Sequence, residues 1–162
     1  MRFKLVPEPP EELERVFEAR RAVPLVPGTE DDCCARLMRT LAFPSRDVAR
    51  TWLTFLRALE LAQEGPAGFT RTRTEATQED LARAFRTRVF GASEVLSSLE
   101  AADEPLTGAE AFERFRHRVP QWERHRNPDT WEDGWCERIE RILGWAVLLG
   151  LAERTDAGYR ST

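Results

Sequence analysis

Residues 40–72 read TLAFPSRDVARTWLTFLRALELAQEGPAGFTRT and contain the pattern that decides the fold. Ser45 is a suitable N-cap, and the residues after it place apolar side chains at helical spacing along one face. That apolar face consists of Val48, Trp52, Phe55, Leu56 and Leu59. Gly-Pro-Ala-Gly at 65–68 is a turn signal between two short segments that we expect to pair. The stretch therefore predicts a long helix over residues 45–62, followed by a β-hairpin.

The last part of this stretch occurs a second time at the end of the chain. Residues 143–162 read LGWAVLLGLAERTDAGYRST and align with it without a gap, at an offset of about 90 residues. The pairs Leu53/Leu143 and Gly68/Gly158 are identical, and Phe69/Tyr159 is an aromatic pair. The repeat predicts two similar units in tandem, which we place at residues 1–76 and 77–162.

Capping residues and apolar periodicity predict the remaining helices. In the first unit, helices are expected over residues 10–22 and from Thr29 to just before Pro44. In the second unit, they are expected over 77–102 with a break at Gly91, then at about 108–118 and at about 131–151. The expected fold class is mainly α, with two small β-hairpins.

Charge is unevenly distributed along the 162 residues, whose formal net charge is −4. Seven arginines and three carboxylates lie between Cys33 and Arg73, whereas residues 77–162 contain 12 basic and 16 acidic side chains. The net negative charge argues against a protein that coats nucleic acid through a generally basic surface. The local arginine excess instead points to the region 33–73 as a candidate binding region.

Other patterns argue against several classes of protein. Cys33, Cys34 and Cys136 form no CxxC pair, which favours buried thiols in a reducing compartment over a metal or redox site. The start of the chain has no apolar h-region, and the longest apolar run, 145–152, is too short to span a bilayer. No catalytic or phosphate-binding motif occurs. We therefore expect a cytoplasmic protein with no enzymatic activity, cofactor or metal.

The helix–LxLA–hairpin pattern resembles that of tandem winged helix-turn-helix proteins. It is carried by PSRDVARTWLTFLRALELA with GPAGF, and again by WCERIERILGWAVLLGLAE with DAGY. The segment EPLTG at 104–108 is similar to the short segment that precedes the second helix in many winged-helix domains. The whole chain resembles the small tandem winged-helix proteins of haloarchaea. This resemblance implies a DNA reader or a protein-docking module, because winged helices serve as both.

One face of the predicted helix 45–62 is suited to contact DNA. The side opposite its apolar face carries arginines and threonines, and two more arginines lie in or just beyond the hairpin. The candidate DNA-binding residues are Arg46, Arg50, Thr51, Thr54, Arg57, Arg71 and Arg73. Arginine pairs bidentately with guanine, and arginines of a wing can neutralise phosphates. The alternative is that these arginines form a solvated or protein-docking face.

The second unit lacks this basic face. The positions aligned with the first unit's candidate face are Cys136, Glu140, Arg141, Gly144 and Val147. Acidic residues at 132, 133 and 137 add negative charge where the helix begins, and phosphate would be repelled there. Val147 stands in the place of Arg57 and widens the apolar strip. We therefore expect the second unit to be a structural or dimerisation unit, and the protein to be a homodimer.

A second basic cluster lies at residues 113–126, ERFRHRVPQWERHR. Phe115 and Trp122 are interleaved with its arginines, so each can either stack on bases or anchor a helix in the core. We expect core anchoring for both. The arginines can contact a nucleic-acid backbone or pair with the acidic start of the last helix, and the sequence leaves these alternatives open.

The leading hypothesis from these patterns is a DNA-binding protein of transcription-regulator type. Double-stranded DNA would be contacted through helix 45–62 and its hairpin. The alternative is a tandem winged-helix adaptor without enzymatic activity that docks a larger protein assembly. The acidic second half of the chain and Val147 favour that alternative.

Overall fold

The computed structural model describes residues 2–162 and divides between Phe90 and Gly91 into two compact units. The elements of the first unit are α1 (Glu14–Ala22), α2 (Glu30–Leu41), α3 (Arg46–Ala58), β1 (Ala62–Gly65), β2 (Gly68–Arg71) and α4 (Gln78–Arg88). The side chains of Thr29 and Ser45 cap α2 and α3 by accepting hydrogen bonds from backbone amides of their first turns. Helix α2 ends at Leu41 and Ser45 caps the start of α3, so only a short turn joins the two helices, as in a helix-turn-helix.

The hairpin β1–β2 is the wing of the first unit. Its strands pair antiparallel, with Ala62 opposite Arg71 and Gly65 opposite Gly68. Phe69 of β2 also exchanges two backbone hydrogen bonds with Gly28, at 3.0 and 2.8 Å. The segment before α2 thereby acts as a third, one-residue strand beside the wing. These contacts complete the winged-helix order of helices and strands.

Helix α4 belongs to the first unit. Phe85 of α4 packs edge-on against Phe55 of α3, with ring centroids 6.3 Å apart. Phe3, near the start of the chain, pairs with Val89 just after α4. The compact units therefore divide 14 residues later than the boundary placed between residues 76 and 77 from the repeat. The physical reason is that the apolar stripe of α4 is buried on α3.

The second unit repeats the order of the first. Its elements are α5 (Ala92–Ala101), α6 (Gly108–Phe115), a 3-10 turn (Arg116–Arg118), α7 (Gln121–Arg126), α8 (Trp131–Leu148), β3 (Ala152–Thr155) and β4 (Gly158–Ser161). Strands β3 and β4 form the second wing, and Leu106 pairs with Tyr159 as Gly28 pairs with Phe69. Leu106, within the segment EPLTG, thus forms a one-residue strand beside the second wing, directly before α6.

The two units differ in the connection between their second and third helices. In the first unit a short turn joins Leu41 to Arg46, whereas in the second the 3-10 turn and α7 lie between Phe115 and Trp131. Helix α7 falls in the charged stretch after Pro120, where no helix was predicted. Periodicity failed there because α7 has only six residues and no buried side chain.

The predicted fold class, mainly α with two β-hairpin wings, is confirmed. The helices at 10–22, 45–62 and 131–151 are shorter at their ends than predicted. Cys33 and Cys34 are both buried, and burial is the main cause that raises the pKa of each thiol. Phe115 is buried as expected, but the expectation for Trp122 was wrong, because this side chain is 56% exposed.

Within residues 2–162, no helix combines the length and apolar character that crossing a membrane requires. The same described residues contain no group of three or more histidine, cysteine, aspartate or glutamate side chains placed to hold a metal ion.

Candidate nucleic-acid interface

Helix α3 of the first unit presents an amphipathic surface built from its sequence. Its buried side contains Trp52, Phe55 and Leu56, which fixes the rotation of the helix about its own axis. The residues at helical spacing on the other side are therefore directed outward. Arg50 lies in the middle of this outward face, and its side chain is 54% exposed.

The arginines in the first two turns of α3 already have acidic neighbours. Arg46 forms an ion pair with Asp31 and lies 3.9 Å from Glu30, both in the first turn of α2. Arg50 pairs with Asp47 at 3.7 Å, one turn earlier in the same helix. All of these side chains are substantially exposed, so each pair contributes at most about 1 kcal/mol. The arginines of this face are consequently held loosely.

Arg57, at the end of α3, lies in a different environment. Its guanidinium carbon is 5.2 Å from the ring centroid of Phe3 and 5.9 Å from that of Phe69. It also pairs with Glu64 of the wing at 3.4 Å, and only 24% of its side chain is exposed. Arg57 thus connects α3, the wing and the N-terminal segment through packing and cation–π contacts.

Arg71 of β2 also forms hydrogen bonds within the first unit. Its Nε donates to the carbonyl of Val23 at 3.0 Å, and its Nη2 donates to that of Arg21 at 3.1 Å. Both acceptors lie at the carboxyl end of α1, where backbone carbonyls lack helical partners. Burial, followed by the charge of Arg71, lowers the pKa of the adjacent Arg20. Arg71 therefore fastens the wing to α1.

The remaining candidates lie towards solvent. Thr51 donates its hydroxyl proton to the carbonyl of Asp47, one turn earlier in α3, at 2.9 Å. Thr54 is half-buried in the next turn, and Arg73 is exposed just after the wing. The structure thus brings Arg46, Arg50, Thr51 and Thr54 together on one face of α3. It does not bring the wing arginines onto that face.

The corresponding helix of the second unit, α8, presents a different surface. Glu140, at the position that aligns with Arg50, lies against Gly108, the first residue of α6. The carboxylate therefore lies near the positive N-terminal end of α6. Cys136, Gly144 and Val147 are half-buried on the same side of the helix. This surface offers no cation for a phosphate at the central position.

The connection between α6 and α8 is held by stacked guanidinium and aromatic groups. Arg116 and Arg124 lie 5.2 and 4.6 Å from the ring centroid of Trp131. Arg116 also pairs with Glu113 at 3.3 Å and with Glu132 at 2.9 Å. Trp135 stacks on Phe115. The guanidinium carbon of Arg138 lies 4.5 Å from the ring centroid of Trp135, and burial is the main cause that lowers the pKa of Arg138. These contacts fix the connection to the unit.

Sequence reasoning missed the acidic residues beside the candidate face. Asp47 is visible as an i, i+3 partner of Arg50 in the helix. Glu30 and Asp31 reach Arg46 only because α2 and α3 cross, and the charge window that began at Cys33 left them out. Arg57 and Arg71 looked like surface residues because their partners, Phe3, Val23 and Arg21, lie far away in sequence.

Comparison with known proteins identifies the family. No curated protein and no solved structure shows significant similarity to this chain. The model of the halobacterial double winged helix domain, in contrast, matches residues 1–162. This match agrees with the two wings and the repeated order of elements described above. The chain belongs to the halobacterial double winged helix domain family.

Proposed function

We propose that the protein is a DNA-binding regulator whose first unit reads double-stranded DNA through α3. The observation that carries this proposal is the outward face of α3, where Arg46, Arg50, Thr51 and Thr54 lie together. A recognition helix needs side chains of this kind, because guanine accepts two hydrogen bonds from arginine in the major groove.

The ion pairs of this face are compatible with such a role. Exchanging an exposed pair for a phosphate or base contact costs little, because the pair contributes little to begin with. The carboxylates of Asp31 and Asp47 would lie near the DNA and oppose sequence-independent attraction to phosphate. Binding would therefore depend more on base contacts than it does for a strongly basic helix.

We assign different parts to the other candidate residues. Arg57 and Arg71 would support DNA binding indirectly, by holding the wing against α3 and α1. Arg73, exposed beyond the wing, is free of such a structural task in the contacts described for residues 2–162 and is suited to a phosphate. The second unit would be the dimerising or structural part, with the half-buried Val147 at the edge of its apolar strip.

Selection from a random duplex pool tests this proposal. The wild-type protein should enrich a sequence, and Arg50→Ala should not enrich it. Arg83→Ala is the matched control. Like Arg50, Arg83 is an exposed arginine in a helix of the first unit, and it forms an ion pair of 2.8 Å with Asp80, three residues earlier. Loss of enrichment in both variants, or in neither, would contradict the assignment of α3.

The second candidate function is that of a protein-docking adaptor, also expected to be non-enzymatic. It is favoured by the outward face of α8, where Glu140 occupies the central position and Val147 replaces an arginine. A duplex pool that gives no enrichment with folded protein, together with a stable complex formed through α8, would favour the adaptor. Val147→Asp should then dissolve that complex.

A further inference from the structure

The connection between α6 and α8 contains the most basic segment of the second unit. Residues 114–126 include five arginines, two histidines and one glutamate, whereas the rest of the unit is strongly acidic. The corresponding connection in the first unit is a short turn between Leu41 and Arg46. The two copies therefore differ clearly, in both length and charge, at this connection.

One side of α7 is fixed to the unit. Glu123 accepts a hydrogen bond of 2.6 Å from Nε1 of Trp135. Arg124 stacks on Trp131 and donates to the backbone carbonyl of Arg116. Because Glu123 and Arg124 are consecutive in the helix, their contacts define its inward side. The only carboxylate of α7 is thereby turned inward.

The other side of α7 carries an aromatic ring between basic residues. Trp122, His125 and Arg126 are three and four residues apart, so they are neighbours on one helical face. They lie on the side away from Glu123 and Arg124, and all three are exposed; Trp122 has 56% exposure. Arg118, in the 3-10 turn just before α7, is exposed as well. Trp122, His125 and Arg126 form the outward face of α7, and the exposed Arg118 precedes the first residue of the helix by three positions.

The chemistry of this face selects an anionic partner with flat rings. Arg118 and Arg126 supply positive charge. Three carboxylates in or near the segment have partners within the unit: Glu113 and Glu132 pair with Arg116, and Glu123 accepts a hydrogen bond from Trp135. An exposed indole adds a stacking surface that every nucleobase can use. Duplex DNA keeps its base faces stacked inside the helix, so an indole on a surface helix meets such faces only where bases are unpaired.

We propose that the outward face of α7 binds single-stranded nucleic acid, with Trp122 stacking on a base and Arg118 and Arg126 neutralising adjacent phosphates. The anchoring of α7 by Arg116, Arg124 and Trp135 holds the indole in place before binding, which lowers the entropic cost of ordering it. This site is separate from the duplex-reading face of α3 and does not rest on it. It gives the second unit its own contact with nucleic acid.

Fluorescence anisotropy with labelled dT12 tests the proposal on the full chain. Trp122→Ala should weaken binding roughly 5- to 100-fold, the range expected for loss of one stacked base. Trp122→Phe should retain most of the affinity, because it keeps an aromatic face. Arg126→Ala should reduce the slope of log K against log salt by about 0.7, as loss of one phosphate contact to a single strand does.

Arg160→Ala is the matched control for charge. Arg160 is 59% exposed on the wing of the same unit, where it pairs with Glu153, and its loss should leave dT12 binding unchanged. Wild-type protein that does not bind dT12, or equal binding by Trp122→Ala, would overturn the proposal. So would binding of a twelve-residue polyglutamate as tight as that of dT12, since the face would then be an acidic-peptide site.

Discussion

At the scale of single residues, arginine has two distinct tasks in the first unit. Arg50 projects from α3 with more than half of its side chain exposed, whereas Arg57, seven residues later, is enclosed by Phe3, Phe69 and Glu64. Helical spacing places both arginines on the same side of the helix, and for this reason both were predicted to be DNA-binding residues. Only the fold of the N-terminal segment and the wing distinguishes them.

The difference between these arginines predicts that their replacement changes stability by different amounts. Arg57→Ala removes two cation–π contacts and an ion pair and should lower the free energy of unfolding by about 1–2 kcal/mol. Arg50→Ala removes only an exposed pair and should change it by less than about 0.5 kcal/mol. Urea denaturation of both variants measures the two values. Equal values for the two variants would mean that Arg57 is not packed as described.

Gly68 provides a second prediction at this scale. Its φ of +130° lies in a region that side chains rarely adopt, and an added Cβ would fall 2.4 Å from the carbonyl oxygen of Gly28. Gly68→Ala should therefore disrupt the pairing of Gly28 with Phe69 and lower stability by more than about 2 kcal/mol.

Gly65→Ala is the matched control in the same turn. An added Cβ at Gly65 meets nothing within 4 Å, so this variant should unfold close to wild type. Thermal unfolding followed by circular dichroism compares the two. A Gly68→Ala protein as stable as Gly65→Ala would contradict the close approach of the two strands. An added Cβ at Gly158 would likewise fall 2.4 Å from the carbonyl oxygen of Leu106 in the second unit, which explains why both copies have glycine at this position.

At the scale of elements, helix caps were the most informative sequence signals. Thr29, Ser45 and Thr77 were predicted as helix starts, and each accepts a backbone hydrogen bond in the structure. Turn chemistry likewise located both wings. Helix α7 could not be found in this way, because it is held by the stacking of Arg124 on Trp131 and by the hydrogen bond from Trp135 to Glu123 rather than by an apolar stripe. Local rules identify elements that local interactions stabilise.

The capping box of α6 predicts a pH-dependent contribution to stability. Hydrogen bonds from the backbone and hydroxyl of Thr107 lower the pKa of Glu110 below its ordinary value of 4.5. A carboxylate with a lowered folded pKa stabilises the fold above its unfolded pKa and loses that effect as the pH falls through the folded value. Glu110→Gln should therefore be less stable than wild type at neutral pH, and the difference should shrink as the pH falls through the lowered pKa of Glu110.

Urea midpoints of the two proteins between pH 7 and pH 3 measure this effect. Asp80→Asn should behave in the same way in the first unit, because the backbone and hydroxyl of Thr77 lower the pKa of Asp80. A stability difference that stays constant over this range would show that the charge of Glu110 is irrelevant and that only the shape of the side chain matters.

At the scale of the whole molecule, one repeated fold carries two different surfaces. The sequence predicted the repeat, the fold class and the face of α3 from local patterns. It placed the unit boundary between residues 76 and 77, whereas the compact units of the structure divide after Phe90, since the repeat says nothing about where α4 is buried. It also missed the acidic turn of α2 beside α3, since contacts between crossing helices depend on tertiary structure. Contacts between residues that lie far apart in the sequence could not be predicted from local patterns.

The divergence of the copies suggests a division of labour. The first unit keeps arginines on its third helix, whereas the second replaces the central one with Glu140 and places its basic residues on the inserted α7. Under the proposals made above, the first unit contacts duplex DNA and the second contacts unpaired bases. The double variant Arg50→Ala/Trp122→Ala should lose both activities, and each single variant should lose one.

The measurement that tests the central claim most directly is duplex binding by fluorescence anisotropy across a potassium chloride series. Wild type, Arg46→Ala/Arg50→Ala and the control Arg83→Ala are compared, with circular dichroism confirming that each is folded at the lowest salt. We expect wild type and the control to bind alike, and the double variant to bind more weakly, with a slope smaller by about 2. Equal slopes and affinities for all three proteins would contradict the claim that α3 contacts DNA.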